Sequence, residues 1–302
     1  RNYNSLFKDF ETGREFANQI LTNPKFNYLN LSAQTGISLN ILNDLKFKMS
    51  YILSQRAPNP SELFSDGLHH ALAAIEYGSL SIEPETSHKF LFSFSKNNQI
   101  YNWSFEPFIS KTFGYIFIEP TGLKQTIRGA FPVWTYDSTD AFLTGIDINL
   151  SLKINKRLMF DIGASYTYAQ DVLNEEPIIL IPPFNTFQKL KFTPLKGNWT
   201  LEFTNQVSAK QNRYPNSNFI FDYIENGKLV SKNVQISESP SGFQRLDAIF
   251  STQISNQNKI KSTLRLIVQN LTNSEYRDYL NRMRYYSADL GRNFHLQLNF
   301  KY

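Results

Sequence analysis

The chain has 302 residues, enough for one large domain or two small ones, and its lack of Cys excludes disulfide scaffolds and thiolate metal sites. Only 19% of its residues are charged, below the roughly 25% of ordinary soluble domains, whereas 15% are aromatic. No run approaches the roughly 18 apolar residues that a membrane-spanning helix needs, and the net charge of +5 is dispersed, which argues against a nucleic-acid partner.

Apolar and polar side chains alternate along most of the chain, with the period of a strand that has one apolar face. In chain order the alternating segments are 29–41, 45–53, 90–94, 103 onward, 142–154, 158–168, 190–192, 199–210, 246–254, 260–268 and 294–302. They predict about eleven strands of about ten residues each, the length of a tilted strand that crosses a membrane.

The connections between these strands alternate between two lengths. Short polar turns of hairpin composition lie at 43–44, 97–98, 155–156, 196–198 and 256–258, and long segments lie at 57–85, 119–140, 171–183, 211–242 and 271–291. Compact soluble domains seldom contain structureless loops of that length. Short periplasmic turns and long extracellular loops are typical of outer-membrane barrels, so we predict an all-β, antiparallel transmembrane β-barrel.

Two further features support this prediction: the positions of aromatic residues near the short turns, and the polar character of the residues that alternate with the apolar ones. Phe47, Trp103, Phe160 and Trp199 follow short turns, and Tyr302 ends the chain at the same level, so the five are predicted to form one membrane girdle. The opposite parity is polar and must face water or another protein segment, because hydrocarbon accepts charges only at high cost. It includes Asp147, Asp161, Glu202, Lys210, Asp247, Arg265 and His295. A soluble β-sandwich with polar outer faces is the alternative.

The predicted strands form only part of a barrel. Single-chain bacterial barrels contain an even number of strands, and an open sheet would leave two unpaired edges in lipid. Residues 1–27 lack regular alternation and are interpreted as the end of a preceding strand and its outer loop. We therefore expect residues 1–302 to be the C-terminal part of a barrel of about 22 strands, the class of transporters with a plugged lumen.

Two groups of residues resemble motifs of a known family. They are Arg56, Ala57, Pro58, Asn59, Glu62 and Leu63, continued by Glu83, Pro84 and Glu85, and the pair Asn270 and Leu271 near the C-terminus. Their order and their positions at strand ends are similar to those of TonB-dependent outer-membrane receptors for siderophores, haem and metal chelates. In that family an N-terminal plug domain and a TonB box precede the barrel, and neither is part of this sequence.

The resemblance implies an outer-membrane active-transport receptor and not an enzyme. The implied ligand is a ferric siderophore, with haem or zinc as the alternative, captured by extracellular loops. The implied partners are the plug domain, the TonB complex acting through the absent N-terminal region, and the surrounding membrane lipids and lipopolysaccharide. No cofactor is implied, and because the sequence has no glycine-rich phosphate loop, the energy must come from a partner.

Candidate ligand-binding residues lie in two of the long loops. His69 and His70 are adjacent, so at most one imidazole would face a given metal or haem iron from an extended chain. The last loop concentrates phenols and guanidinium groups suited to an anionic, oxygen-rich chelate, namely Tyr276, Arg277, Tyr279, Arg282, Arg284, Tyr285 and Tyr286. Both sets also have a structural interpretation, as hydrogen bonding within the loops or contact with leaflet phosphates.

A barrel of another class remains open as an alternative. Ser61, Asp66 and His69 are the residue types of a hydrolase triad, but they share one proline-bounded loop with nothing to orient them. An autotransporter barrel of about 12 strands or an outer-membrane hydrolase would also match the length of the chain. A plug-like domain upstream would favour the receptor, and a passenger domain or a signal peptide directly upstream would favour the alternative.

Overall fold

The structure, a computed structural model, describes residues 2–8, 15–22, 24–42, 44–257 and 260–301. Its strands are β1 (Asn2–Lys8), β2 (Glu15–Thr22), β3 (Ser32–Leu42), β4 (Leu45–Arg56), β5 (Asp66–His69), β6 (Ala74–Tyr77), β7 (Glu85–Asn97), β8 (Tyr101–Thr126), β9 (Gly129–Lys153), β10 (Leu158–Asp171), β11 (Asn185–Phe192), β12 (Trp199–Ser208), β13 (Asn218–Glu225), β14 (Lys228–Gln235), β15 (Phe243–Gln257), β16 (Ile260–Gln269) and β17 (Asn293–Lys301). Helical structure in these ranges is limited to α1 (Pro60–Phe64) and the 3-10 turns His70–Leu72 and Arg282–Tyr285.

One sheet dominates the described residues. Eleven strands follow one another in the order β17-β16-β15-β12-β11-β10-β9-β8-β7-β4-β3, each antiparallel to its neighbours, and β5 and β6 bring the sheet to thirteen strands. The short strand β6 also pairs with β9 in parallel. Two further hairpins, β1–β2 and β13–β14, form separate two-stranded sheets. The all-β, antiparallel prediction and its eleven successive strands are confirmed.

The strand registers place the predicted apolar set on one face of the sheet. Phe47, Phe94, Phe105 and Ile148 lie directly opposite one another across four neighbouring strands. Phe105 and Ile148 are 37% and 42% exposed although they lie in the middle of the sheet. Large apolar side chains exposed in this way need an apolar solvent, and we call this side the apolar face.

The opposite side, the polar face, satisfies its polar groups internally. Asp161 is 8% exposed, and its carboxylate accepts a hydrogen bond from the Ser151 hydroxyl at 2.6 Å and pairs with the Lys189 ammonium at 3.0 Å. Two residues further along β11, the Lys191 ammonium lies 3.1 Å from a carboxylate oxygen of Glu202 on β12. These contacts join neighbouring strands at the same level. The structure therefore confirms the prediction that apolar and polar side chains lie on opposite faces of the sheet.

Four of the five predicted girdle residues lie on the apolar face near the short turns. The Phe47 ring packs against Phe94 at 4.9 Å between centroids, and Trp199 lies 5.6 Å from Phe192. Trp103 is paired with Leu150, and Phe160 with Leu152. The fifth residue, Tyr302, lies outside the described residues.

One predicted loop is wrong. The segment 119–140 was expected to be a long loop, but β8 and β9 continue as paired strands of 26 and 25 residues. After a register shift between Thr112 and Tyr115, their pairing extends to Thr126 and Gly129. We call residues 115–139 the outer hairpin. Continued pairing satisfies the backbone groups of this segment, which a structureless loop would leave to water.

The other long connections also contain local structure. Segment 57–85 holds α1, a 3-10 turn and the hairpin β5–β6, and segment 211–242 holds the hairpin β13–β14. Segment 271–291 contains the second 3-10 turn. No helix within the described ranges combines the length and the apolarity needed to cross a membrane.

Candidate functional site: the loop cluster

The long connections pack together on the loop side of the sheet. Four fully buried residues form the centre of this loop cluster, namely Ala74, Trp134, Ile179 and Ile236, and each comes from a different connection. Trp134 is only 1% exposed. Tyr285 of the last loop packs against the same centre. Five connections that are distant in the sequence therefore share one apolar core, which fixes the surface that they present.

The first motif forms a clamp where β4 leaves the sheet. Arg56 Nε donates to a Glu85 carboxylate oxygen at 2.9 Å, and Arg56 Nη1 donates to Glu62 at 3.0 Å. The second Glu85 oxygen accepts a hydrogen bond from the backbone N–H of Ile116 in the outer hairpin at 3.0 Å. Because Glu62 lies in α1 and Glu85 begins β7, one guanidinium joins both ends of segment 57–85.

The start of α1 explains two further residues of this motif. The Asn59 side chain caps the helix by accepting hydrogen bonds from the backbone N–H groups of Ser61 and Glu62, and the Glu62 carboxylate accepts in return from the Asn59 N–H at 2.7 Å. Leu63 is 5% exposed and packs against Ile82 in a small apolar cluster. The motif residues that the structure brings together here thus have structural roles.

Gly78 allows the β5–β6 segment to lie directly against this helix. A Cβ atom at position 78 would lie 2.6 Å from the carbonyl carbon of Leu63, a distance that no side chain tolerates. The backbone N–H of Gly78 donates to the Ser65 carbonyl at 2.7 Å. A glycine is therefore required by close backbone approach.

The second motif anchors the beginning of the last loop. Asn270 is 1% exposed and adopts a left-handed conformation with φ 51°. Its side-chain amide donates to the Ser274 carbonyl at 2.8 Å, its side-chain oxygen accepts from the Ser274 N–H, and its own N–H donates to Asp247 at 2.9 Å. Leu271 follows, 39% exposed, with its N–H donating to the Leu246 carbonyl.

Most charged groups of the last loop are used inside the loop cluster. Arg284 is 3% exposed, donates to the Tyr279 carbonyl at 2.6 Å and lies over the Tyr279 and Tyr285 rings. Arg277 donates to the Arg284 carbonyl. Arg282 pairs with Glu76 of β6 at 2.8 Å, and its guanidinium lies 4.6 Å from the centroid of the Trp134 ring.

Burial perturbs the titration of this loop. Burial is the main cause of the raised pKa values of two phenols. The pKa of Tyr285 rises to about 12, and that of Tyr279 also rises. Burial likewise lowers the pKa of Arg284, although the two phenols oppose the shift. Desolvation disfavours the charged form of each group, so the two phenols stay neutral near neutral pH and act as structural supports.

The two predicted histidines lie on the surface of the loop cluster. His69 ends β5, His70 begins the following 3-10 turn, and both side chains are exposed. The Tyr286 hydroxyl donates to the carbonyl of Ala73, the residue that ends that turn, at 2.8 Å, and Tyr286 is 45% exposed. The structure thus brings Tyr286 next to the histidine turn. Within the described residues, no three His, Asp or Glu side chains come close enough to hold a metal ion.

Tyr276 lies apart from this patch. Its ring stacks on Phe243 at 4.4 Å between centroids, and its hydroxyl accepts a hydrogen bond from Arg245 at 3.3 Å. Residues 240–244 and 274–277 line a groove of about 600 Å³ beside this pair. Tyr276 and Arg277 therefore belong to a second surface, formed where β15 begins.

Sequence reasoning missed Trp134 and the partner of Glu76. Trp134 lay in a segment expected to be an irregular loop, and Arg282 was expected to contact the ligand, whereas it pairs with Glu76. Neither contact has a local signal, because β6, β9 and the last loop are far apart in the sequence. Glu83, at the start of the Glu83-Pro84-Glu85 stretch, is exposed and contributes no contact to the clamp within the described residues.

Solved structures share this architecture at low sequence identity. The copper transporter OprC is 16% identical, with a TM-score of 0.69 over 90% of this chain and 39% of that chain. The siderophore receptor PirA from Acinetobacter baumannii is 15% identical, with a TM-score of 0.58 over 88% of this chain and 40% of that chain. The FrpB iron transporter from Neisseria meningitidis is 14% identical, with a TM-score of 0.60 over 90% and 39%.

These likenesses show the fold, and the chain spans about two fifths of the length of the solved structures that it matches. No curated protein sequence matches it. The family model described as "TonB dependent receptor-like, beta-barrel" matches residues 2–271, which is most of the chain. The chain therefore belongs to the TonB-dependent receptor family and represents part of its β-barrel domain.

Proposed function

We propose that this chain is the C-terminal part of the barrel of an outer-membrane receptor that binds a scarce metal chelate, foremost a ferric siderophore, and imports it with energy transmitted by TonB. The observation that carries the proposal is the loop cluster, in which five connections share one buried core on one side of a sheet with a polar and an apolar face. A packed cluster presents a defined surface to a ligand, whereas independent loops would not.

The proposed ligand surface is smaller than the sequence suggests. His69, His70 and Tyr286 are exposed and adjacent, whereas Tyr279 and Arg284 are buried. We assign direct ligand contact to the exposed group and a supporting role to the buried one. An imidazole and a phenol are both able to bind iron, zinc or copper, so haem or a zinc chelate remains the second candidate ligand.

The names of similar structures support a metal-chelate ligand. They include a siderophore receptor, an iron transporter and a copper transporter, at 14–16% identity. Family membership also favours import over the autotransporter and hydrolase alternatives. We propose that the polar face contacts a plug domain supplied by another part of the protein, and that TonB acts through that part.

Uptake by cells tests the transport function. A strain with the complete gene is expected to grow on ferric siderophores under iron limitation and to take up radiolabelled iron, and a deletion strain is expected to lose both. A tonB deletion should abolish uptake while leaving binding to the cell surface intact. Unchanged uptake of ferric siderophores, haem and zinc in the deletion strain would contradict the proposal.

Binding by the purified complete receptor tests the proposed surface. The variants His69→Ala, His70→Ala and Tyr286→Ala are expected to weaken ligand binding, each by about 1–2 kcal/mol if it removes one direct contact. His295→Ala is the matched control, since His295 lies on the polar face of β17 and hydrogen-bonds Gln269. Equal affinity of all four variants and the unmodified receptor would place the ligand elsewhere.

A further inference from the structure

A cationic row crosses the apolar face at its loop-side boundary. His88, Lys111, Phe142 and Gln170 lie directly opposite one another on β7, β8, β9 and β10. Arg213 joins this row, because its Nη2 donates to the Gln170 side-chain oxygen at 2.6 Å. Two permanent cations, Lys111 and Arg213, therefore lie at one level of a face that is otherwise apolar.

The next row towards the short turns is aromatic and aliphatic except for Thr144, whose hydroxyl donates to the Phe108 carbonyl at 2.8 Å. It consists of Tyr51, Phe90, Ile109, Thr144 and Tyr168, again in direct register. The Arg213 guanidinium lies 3.6 Å from the centroid of the Tyr168 ring, and the Lys111 ammonium lies 4.7 Å from the Phe113 ring. Cations that lie over aromatic rings at the edge of an apolar surface are typical of a membrane interface.

The length of the strands places this row at a leaflet boundary. Trp103, beside the short turn, and Phe113 are separated by about ten residues on β8, or roughly 33 Å along the strand. At a tilt of about 40° this corresponds to a height of roughly 25 Å, which is the height of the apolar band of outer-membrane barrels. Phe113 thus lies where headgroups begin if Trp103 lies at the opposite interface, and the long side chain of Lys111, two residues nearer to Trp103, extends its ammonium towards that level.

A groove for an acyl chain lies beside the cations. Phe142, Thr144, Tyr166, Tyr168 and Val172 line most of a cavity of about 660 Å³ on the same face. Two acids, Asp171 and Glu175, also border it. Asp171 is 6% exposed, and its carboxylate accepts hydrogen bonds from Thr139, Leu173 and Asn174. Its hydrogen-bonding capacity is therefore used within the protein.

The two cations are available for an external anion. Across the described ranges, neither Lys111 nor Arg213 forms an ion pair with a carboxylate. Neighbouring strands are about 4.8 Å apart, so Lys111 and the Gln170 position that holds Arg213 are separated by about 10 Å. From this charge complementarity we propose that Lys111 and Arg213 bind the phosphate headgroup of an anionic lipid, with an acyl chain in the adjacent groove.

Native mass spectrometry of the complete receptor in neutral detergent tests this site with phosphatidylglycerol, a bis-phosphorylated lipid A and phosphatidylcholine as probes. Both anionic lipids are expected to bind more tightly than phosphatidylcholine. Each cation near a membrane surface contributes about 1 kcal/mol, so Lys111→Gln and Arg213→Gln should each weaken anionic-lipid binding about five-fold, and the double variant about thirty-fold.

Lys89→Gln is the matched control. Lys89 lies on the adjacent strand at a similar height, with its ammonium 4.3 Å from the Phe108 ring, but its register partner Ser110 places it on the polar face. This variant should bind lipid like the unmodified receptor. Circular dichroism and the heat-dependent gel mobility of each variant would exclude misfolding as the cause of a loss.

Three results would overturn the inference. They are equal binding of the zwitterionic and anionic lipids, unchanged anionic-lipid binding by the folded double variant, and complete displacement of the lipid by millimolar inorganic phosphate. The last result would indicate a site for free phosphate. The inference relies on the proposed membrane orientation but not on transport, so ligand uptake by the double variant is expected to persist whether or not lipid binds.

Discussion

Apolar side chains are exposed on the apolar face of the sheet, in the part expected to span the membrane, but buried in the loop cluster. On the apolar face, Ile148 is 42% exposed in the middle of the sheet, whereas in the loop cluster Trp134 is 1% exposed. The same chain therefore has an apolar exterior in one region and an apolar interior in the other. The difference indicates the solvent of each region, since burial is favourable only where the surroundings are water.

The location of polar groups also differs between the two regions. Asp161 on the polar face is paired with Lys189 and Ser151, away from the apolar exterior. In the loop cluster, the Arg282–Glu76 ion pair and the Arg284 guanidinium are buried beside the apolar core, and the histidines stay outside. Each region can be perturbed separately, so the comparison leads to four predictions, given from the largest expected effect to the smallest.

Removing the central side chain of the loop cluster should have the largest effect. Trp134→Ala is expected to lower the local opening free energy of the outer hairpin by about 3–5 kcal/mol, because it leaves a cavity among five connections. Hydrogen exchange of residues 115–139 measures this quantity. Trp199→Ala on the apolar face should leave that exchange unchanged. An outer hairpin as protected in Trp134→Ala as in the unmodified receptor would show that the connections do not depend on a common core.

A charge on the apolar face should have the next largest effect. Ile146→Arg is expected to lower the free energy of unfolding in lipid vesicles by about 2–4 kcal/mol, since Ile146 lies on the same face, opposite Pro107 and between the levels of Trp103 and Phe113, near the middle of the bilayer. On the same strand, Asn149→Arg points to the polar face and should cost less than about 1 kcal/mol. Equal losses for the two variants would contradict the assignment of the faces. Denaturant titration followed by tryptophan fluorescence measures both.

Breaking the clamp at the junction of the two regions should have a moderate effect. Arg56→Ala would leave the Glu62 and Glu85 carboxylates, with side-chain exposures of 10% and 17%, without their shared cation. The Arg56 side chain is 42% exposed, so we expect a loss of only about 1–2 kcal/mol. Arg56→Lys should recover part of it, because an ammonium cannot donate to both carboxylates with the same geometry.

Limited proteolysis of segment 57–85 measures the effect of the clamp. Arg128→Ala is the control, since Arg128 is exposed at the tip of the outer hairpin. If the segment resists protease equally in Arg56→Ala and in Arg128→Ala, the clamp does not hold the loop.

The smallest expected effect depends on pH. Burial, followed by the charges of Asp137, Glu176 and Asp171, raises the pKa of Glu119 in the outer hairpin. Ionisation of Glu119 therefore disfavours the folded loop, and this penalty is absent below its unfolded pKa and complete above its folded pKa. Glu119→Gln should stabilise the outer hairpin slightly at pH 7 and not at about pH 4.

Hydrogen exchange of the outer hairpin at the two pH values measures this effect. Glu225→Gln, at an exposed position on the separate hairpin β13–β14, is the control. A gain from Glu119→Gln that is larger at acid pH than at neutral pH would have the wrong sign and would contradict the assigned shift.

Strands in the spanning region were predictable because each has one apolar and one polar face. The outer hairpin was missed for the opposite reason. Ile116 is 7% exposed and packs towards Leu63 and Ile82, whereas the next residue, Phe117, packs towards Trp134. With both faces covered by apolar contacts, the alternation that indicates a strand disappears.

The candidate site was only partly predictable. The two loops that supply it were identified from their composition, and the exposed positions of His69, His70 and Tyr286 are compatible with ligand contact. The same composition gave no sign that Arg284 is 3% exposed or that Arg282 pairs with Glu76. A residue type indicates what a side chain is able to bind, but not whether its polar groups are already used in contacts within the protein.

By itself the sequence determined the strands, their two faces and the family resemblance, because alternation and strand-end motifs are local properties with a period of two residues. The tertiary structure decided which loops meet and which cations stay available. Tyr286 and Ala73, for example, form a hydrogen bond across 213 positions of the chain. Such contacts depend on the way in which the eleven assembled strands bring their connections together, and a local sequence pattern cannot predict this arrangement.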